Sequence, residues 1–262
     1  GGDVKPPYKI SFIQAMKEAD AAGKFKLDQA LADIYEKWCT RKENVPSQGW
    51  WGHWPMNYPE MPLTEDLIRD VAGRNDIAVF VIGRAAGEDR ENTLTQGSYY
   101  LTDTEIEALD LLTSHFAKTV VIMDCGNVID MSWTAKYEGK LSAIVYAWQG
   151  GMESGHALVD VLTGDTNPCG KLPDTIAARY EDYPSSKSFG NADFNEYTED
   201  IYVGYRYFET FARNKVLYPF GYGLSYTHFE FSIKEFSADG DRVHCALQVK
   251  NIGQRAGREV VQ

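Results

Sequence analysis

The stretch IAVFVIGRAAGEDREN, residues 77 to 92, joins an unbroken apolar run to a short loop carrying Glu88, Asp89, Arg90 and Glu91. A continuous apolar run of this length suits a strand buried on both faces, as in a parallel sheet. Two more runs of the same kind come later, TVVIMDC at 119–125 and SAIVYAW at 142–148. Between the first two lies TDTEIEALDLLTSHFAK (102–118), where Thr102 and Glu105 have the spacing of a capping box. After the third comes MESGHALVDVLTG (152–164), a helix stopped by Gly164. Strands alternating with helices predict an α/β fold: a layered helix-sheet-helix sandwich built on a mostly parallel sheet.

Further from that stretch the pattern is plain at both ends. ISFIQAMKEADAAG (10–23) and LDQALADIYEKW (27–38) space their apolar residues for amphipathic helices, and Thr64 caps a third, EDLIRDVAGRN. Beyond residue 228 the period changes to two. FEFSI (229–233) alternates, Asp239-Gly240 supplies a turn, and VHCALQV (243–249) puts Val243, Cys245, Leu247 and Val249 on one face. We therefore divide the chain into an α/β domain with linker at 1–228 and the beginning of a β-sandwich at 229–262. A whole sandwich needs roughly seven strands and about 100 residues.

Composition narrows the function. The 262 residues are 44% hydrophobic and carry a formal net charge of −12, which disfavours nucleic acid and anionic membranes as partners. No apolar run approaches the ~20 residues of a membrane span, and GGDVKPPYKI lacks the form of a signal peptide. Cys39, Cys125, Cys169 and Cys245 form no C-x-x-C pair, so they read as reduced thiols and favour a cytoplasmic setting. No metal site and no cofactor is expected.

In open parallel sheets ligands bind beyond the carboxyl ends of the strands. Glu88 lies five residues past Gly83, so the fold points its loop towards a site. A carboxyl that donates a proton needs a raised pKa, from burial and nearby negative charge; Arg84 and Arg90 would instead hold a carboxylate ionised. Gly150, Gly151 and Gly155 sit between a strand and a helix, but not at phosphate-loop spacing. Tight packing explains them better. The loop GWWGHWPMNY (49–58) offers Trp50, Trp51, Trp54 and Tyr58 either as a local core or as an exposed platform for a sugar ring.

Three phrases add a resemblance. WQGGMESGHALVDVLTGDTNPCGKLPDT, EDIYVGYRYFET and YPFGYGLSYTHFEFS resemble the C-terminal half of β-glucosidases of glycoside hydrolase family 3, over residues 1 to 262. The resemblance implies an exo-acting, retaining β-glucosidase whose (β/α)8 barrel carries an aspartate nucleophile. It also implies a fibronectin type III-like domain after the sheet domain, and a glutamate acid/base in a loop of the form S-G-E-G-x-D-R. Aligning Gly87-Glu88 with that G-E leaves nine positions to Gly97 and gives Glu88 the acid/base role. The departure is that Asp89 and Arg90 come at once after Glu88, which keeps Glu91 as an alternative.

GGDVKPPYKIS resembles the end of a loop that lies beside the sugar. Gly2, Asp3, Trp51, Trp54, Arg84 and Arg90 are thus candidates to touch the substrate, a β-glucoside or short oligosaccharide. No aspartate here sits before a tryptophan as the family's nucleophile does, so a barrel domain is an expected partner and the chain alone is expected to be inactive. A β-xylosidase or other β-glycosidase is the alternative activity. A non-catalytic carbohydrate-binding or oligomerisation module, with this chain forming a homo-oligomer, is the alternative class.

Overall fold

The computed structural model describes residues 5–47, 49–88 and 90–261. Three strands, β1 (Ile77–Arg84), β2 (Lys118–Cys125) and β3 (Ala143–Tyr146), form a parallel sheet in that order. β1 and β2 run in step from Ile77 beside Lys118 to Arg84 beside Cys125. β3 joins from Val120 beside Ala143 to Met123 beside Tyr146. Val121, Ile122 and Met123 are all fully buried, so the central strand is covered on both faces. That double burial is what the uninterrupted apolar run requires.

The helices form where their caps predict. In α1 (Phe12–Ala21) the Ser11 side chain caps Gln14 N, and in α2 (Gln29–Thr40) Asp28 caps Leu31 N. α3 (Glu65–Ala72) begins with Thr64 bonded to Leu67 N. α4 (Asp103–His115) carries the complete reciprocal box of Thr102 and Glu105. Ile68 and Val71 of α3 and Leu109 and Leu112 of α4 pack with Phe80, Ile82, Val121 and Met123 in one core. Each such side chain contributes about 1.5–3 kcal/mol when fully buried.

α5 (Ser154–Thr163) ends at Gly164 in the left-handed conformation, φ 78°. It packs on α1 at very close range. A Cβ on Gly155 would lie 2.4 Å from the Ser11 carbonyl oxygen, and Gly155 N donates to Ile10 O at 3.2 Å. Close backbone approach, not phosphate binding, accounts for this glycine.

Two features are less regular. β4 (Ile176–Ala177) pairs antiparallel with β5 (Val216–Tyr218), beside α6 (Tyr205–Phe211), where Ala177, Phe208 and Ala212 form a small cluster. β6 (Phe229–Asp239) and β7 (Arg242–Asn251) make a long antiparallel hairpin about the Asp239-Gly240 turn. A register shift between Ile233 and Glu235 changes the phase of β6. Phe231, Ile233 and Phe236 therefore all face the β7 residues Val249, Leu247 and Cys245. This apolar surface is largely exposed, with Ile233 and Phe236 at 67% and 68%.

Candidate active site

β1 ends at Arg84, whose side chain organises the loop beyond the strand. Its Nη1 and Nη2 each donate to a Glu105 carboxylate oxygen at 2.7 Å. Its Nε donates to Ser98 O at 3.1 Å, and Nη1 and Nη2 also reach Gly83 O and Tyr100 O. Glu105 completes the α4 cap by accepting from Thr102 N at 2.8 Å. One guanidinium thus ties the strand end, the 98–100 turn and the start of α4 together, in the bidentate geometry that makes such pairs strong.

The expectation that Arg84 touches the substrate is corrected by this geometry. Its side chain is 0% exposed and its donors are spent on protein acceptors. It positions the loop and does not face a ligand.

Between the strand and that lock, the loop turns sharply. Ala85 N donates to Met56 O, and Gly87 and Arg90 close a tight turn in which Arg90 N donates to Gly87 O at 3.3 Å. Glu88 lies within this turn and is exposed. Downstream, Thr93 N donates to Ser98 Oγ at 2.9 Å and Asn92 Nδ2 to Val128 O at 2.9 Å. Gly97 takes a positive φ of 76°, which a side chain would strain.

The tryptophan loop lies directly against the turn. Arg90 Nε donates to the Trp54 carbonyl oxygen at 3.0 Å. A Cβ on Gly87 would meet Trp54 Cζ2 at 2.6 Å, so only glycine lets the indole lie there. Trp51 meets Trp54 edge-on with centroids 5.9 Å apart, and Trp50 stacks on His53 at 5.2 Å. Trp50 remains 75% exposed and Trp51 51%. Among the two readings of this loop, Trp54 serves packing while Trp50 and Trp51 present aromatic faces to solvent.

Glu91 and Arg90 have a different setting from Glu88. Both line a cleft of about 490 Å³ whose other wall comes from residues 174–189, including Asp174, Tyr180 and Phe189. The structure thus brings Trp54, Gly87, Glu88 and Arg90 together, and turns Glu91 towards the cleft. Gly2 and Asp3 lie outside the described residues. The wall at 174–189 was missed by sequence reasoning. Its one signal is a cluster of rings, Tyr180, Tyr183 and Phe189, without periodicity. Asp124 at the carboxyl end of β2 was also missed; burial raises its pKa.

The other groups point to structure. Burial pushes the Cys125 thiol up to about 12, and the four cysteines are unpaired by disulfides. Among the described residues, no three His, Cys, Asp or Glu side chains gather as a metal site. No helix among them is long and apolar enough to cross a membrane.

Residues 1–226 match the glycosyl hydrolase family 3 C-terminal domain. The chain belongs to glycosyl hydrolase family 3. This family 3 domain is 45% identical, over all of its own length and 27% of the relative's, to a β-glucosidase of Ruminococcus albus. It is 36% identical to β-glucosidase A of Butyrivibrio fibrisolvens, covering 35% of that protein. Its fold matches the crystal structure of a β-glucosidase from Paenibacillus barengoltzii with a TM-score of 0.90 and 42% identity. The match covers 97% of this chain and 28% of that one. β-Glucosidase 3B of Thermotoga neapolitana matches with a TM-score of 0.83 and 35% identity, over 98% of this chain and 36% of that one. The family 3 domain thus spans about a third or less of these relatives.

Proposed function

We propose that this domain supplies the general acid/base, Glu88, of a retaining exo-acting β-glucosidase. The observation that carries the reading is the seating of the Gly87–Arg90 turn. One end is fixed by the Arg84–Glu105 lock, and the glycine beside Glu88 is filled by the Trp54 ring. A proton donor needs a position held to within fractions of an ångström, and this loop has one at the crest of a parallel sheet.

The chemistry requires two carboxyl groups about 5–5.5 Å apart. An aspartate on a partner barrel attacks the anomeric carbon while Glu88 gives its proton to the departing glycosidic oxygen. Glu88 then takes a proton from the water that opens the glycosyl-enzyme. Glu88 is exposed on this chain, so the enclosure that keeps water from the reaction would be completed by the barrel as it closes over the turn. The exposed Phe194, Tyr197, Ile201 and Val203 are suited to being covered by such a partner. Residues 229–262 begin a fibronectin type III-like domain in this reading, which the apolar face of the hairpin supports. The unpaired cysteines favour a cytoplasmic setting.

Two observations keep alternatives in view. Glu91 lines the cleft and is the competing acid/base. The exposure of Trp50 and Trp51 favours a purely carbohydrate-binding module. In the full-length protein, Glu88→Ala should lose about 10²–10⁴-fold on substrates with poor leaving groups. Nitrophenyl glucosides, which need no proton to depart, should suffer less in glycosylation, and azide should restore turnover. Equal losses on both substrates without azide rescue would reject Glu88; a loss confined to poor leaving groups and rescued by azide in Glu91→Ala would transfer the role there.

A further inference from the structure

The carboxyl edge of the parallel sheet holds one residue in a conformation that its side chain disfavours. Trp148, two positions past the end of β3, takes a left-handed φ of 55°, an outlier for so bulky a residue. Among the described residues only Asp200 does the same without being glycine, and aspartate tolerates that region far better. Strain of this kind persists only where neighbouring contacts hold it, and it gathers at functional sites.

The contacts around Trp148 lead to the Glu88 turn. Its ring lies 4.5 Å from that of Tyr146, whose hydroxyl donates to Asn127 O at 2.7 Å. Ala147 N donates to Met123 O at 2.9 Å, so the chain stays paired with β2 until Trp148 turns it. Beyond that turn the Gln149 side chain lies over the end of β2. A Cβ on Gly126 would meet Gln149 Cδ at 2.8 Å and Ala86 Cβ at 2.4 Å, so both side chains converge on this glycine. Ala86 precedes Gly87, the residue on which Trp54 packs. Downstream, Asn92 Nδ2 donates to Val128 O at 2.9 Å, so the Glu88 loop rests on the 126–128 segment near both of its ends.

We propose that Trp148 is a positioning residue for the Glu88 turn: its strained backbone delivers Gln149 onto Gly126, where it confines Ala86 and so fixes the reach of Glu88. The inference rests on the reading of Glu88 as acid/base. It requires no contact of Trp148 or Gln149 with the sugar.

The test uses the full-length protein with cellobiose and nitrophenyl β-glucoside as paired substrates. Gln149 is exposed, so Gln149→Ala should fold as the parent does. It should lower kcat/KM for cellobiose by about 10–10²-fold, the scale of a small misplacement of a reacting group. The loss should fall on kcat and leave KM unchanged. Nitrophenyl glucoside, whose leaving group needs no proton, should keep its kcat/KM. Gln149→Met, which restores volume over Gly126, should recover most of the loss. Trp148→Gly, which frees the backbone, should repeat the Gln149→Ala pattern. Equal loss on both substrates, or no loss, in either variant with parent-like circular dichroism would overturn the proposal. Hydrogen exchange separates it from the assignment it rests on. Ala85 N and Arg90 N are bonded to Met56 O and Gly87 O, so their exchange reports opening of the turn. Faster exchange there in Gln149→Ala supports the brace even if Glu88 proves dispensable for turnover. Unchanged exchange overturns it even if Glu88 is the acid.

Discussion

Arg84 at the end of β1 and Glu105 in the first turn of α4 form a bidentate ion pair, both contacts at 2.7 Å, with side-chain exposures of 0% and 5%. The pair spans the loop that carries Glu88 and Glu91, so one interaction closes both of its ends. Removing one partner of such a buried pair leaves an uncompensated charge and costs about 3–5 kcal/mol. Arg84→Met should lower the urea midpoint accordingly. Arg84→Lys should recover charge but not the two-pronged geometry, giving an intermediate midpoint. A midpoint within error of the parent for Arg84→Met would refute the lock.

Gly87 and Trp54 make a second coupled pair. Gly87→Ala places a methyl 2.6 Å from the indole, an overpacking that costs about 1–3 kcal/mol. Trp54→Ala removes the obstruction, so the double variant should be less unstable than the two single losses added together. A double-mutant cycle by chemical denaturation measures this directly. Strict additivity would mean that the ring moves away freely and does not seat the turn.

How far the sequence foretold this arrangement depends on what each residue interacts with. The strands β1 to β3 and the caps at Thr64 and Thr102 were legible because burial and capping leave local patterns. The α1–α5 contact through Gly155 was half legible: the glycine was visible, its partner Ser11 was not. Arg84 was misread because its partner Glu105 lies on the next helix, and nothing in RAAGEDREN distinguishes an arginine turned inward from one turned to a ligand. β4 and β5 were invisible because two- and three-residue strands carry no period. In the hairpin, the register shift at Ile233/Glu235 hid the membership of Phe236 in the apolar face.

His156 bonds two carboxylates at once, Glu153 through Nδ1 at 2.6 Å and Glu18 of α1 through Nε2 at 2.7 Å. Tyr8 donates to the other Glu153 oxygen, and Gln14 donates to Glu18. The hydrogen bonds to Glu18 and Glu153 raise the His156 pKa, while His156 leads the lowering at Glu18 and Tyr8 leads it at Glu153. The raised imidazole contributes fully below its ordinary value of 6.5 and fades as pH rises through its folded value. The depressed carboxylates contribute above their ordinary value of 4.5 and fade as pH falls. The clamp is therefore strongest between about pH 5 and about pH 6.5. Tm measured against pH should fall less in His156→Gln than in the parent between about pH 6 and about pH 8. Parallel Tm curves would count against it.

If Glu88 is the acid/base and the nucleophile lies on a partner barrel, the chain by itself should release no nitrophenol from aryl β-glucosides, because an acid without a nucleophile has no covalent route. Mixing it with a separately expressed barrel should produce activity that Glu88→Ala lowers. Activity from the chain alone, abolished by changing one of its aspartates, would show that both groups reside here.

The seam between α1 and α5 is fastened twice, by chemically different means. Ile10 N to Met152 O at 2.9 Å and Gly155 N to Ile10 O at 3.2 Å are backbone bonds, indifferent to proton concentration. The His156 cluster a short way along the same seam is governed by it. Alkali should therefore undo the outer fastening while the inner one stays shut, like a zip that opens partway and stops. Amide exchange would register this as faster exchange along α1, with the amides of Ile10 and Gly155 still protected. The helix pair would respond to its surroundings by degrees, keeping its alignment throughout.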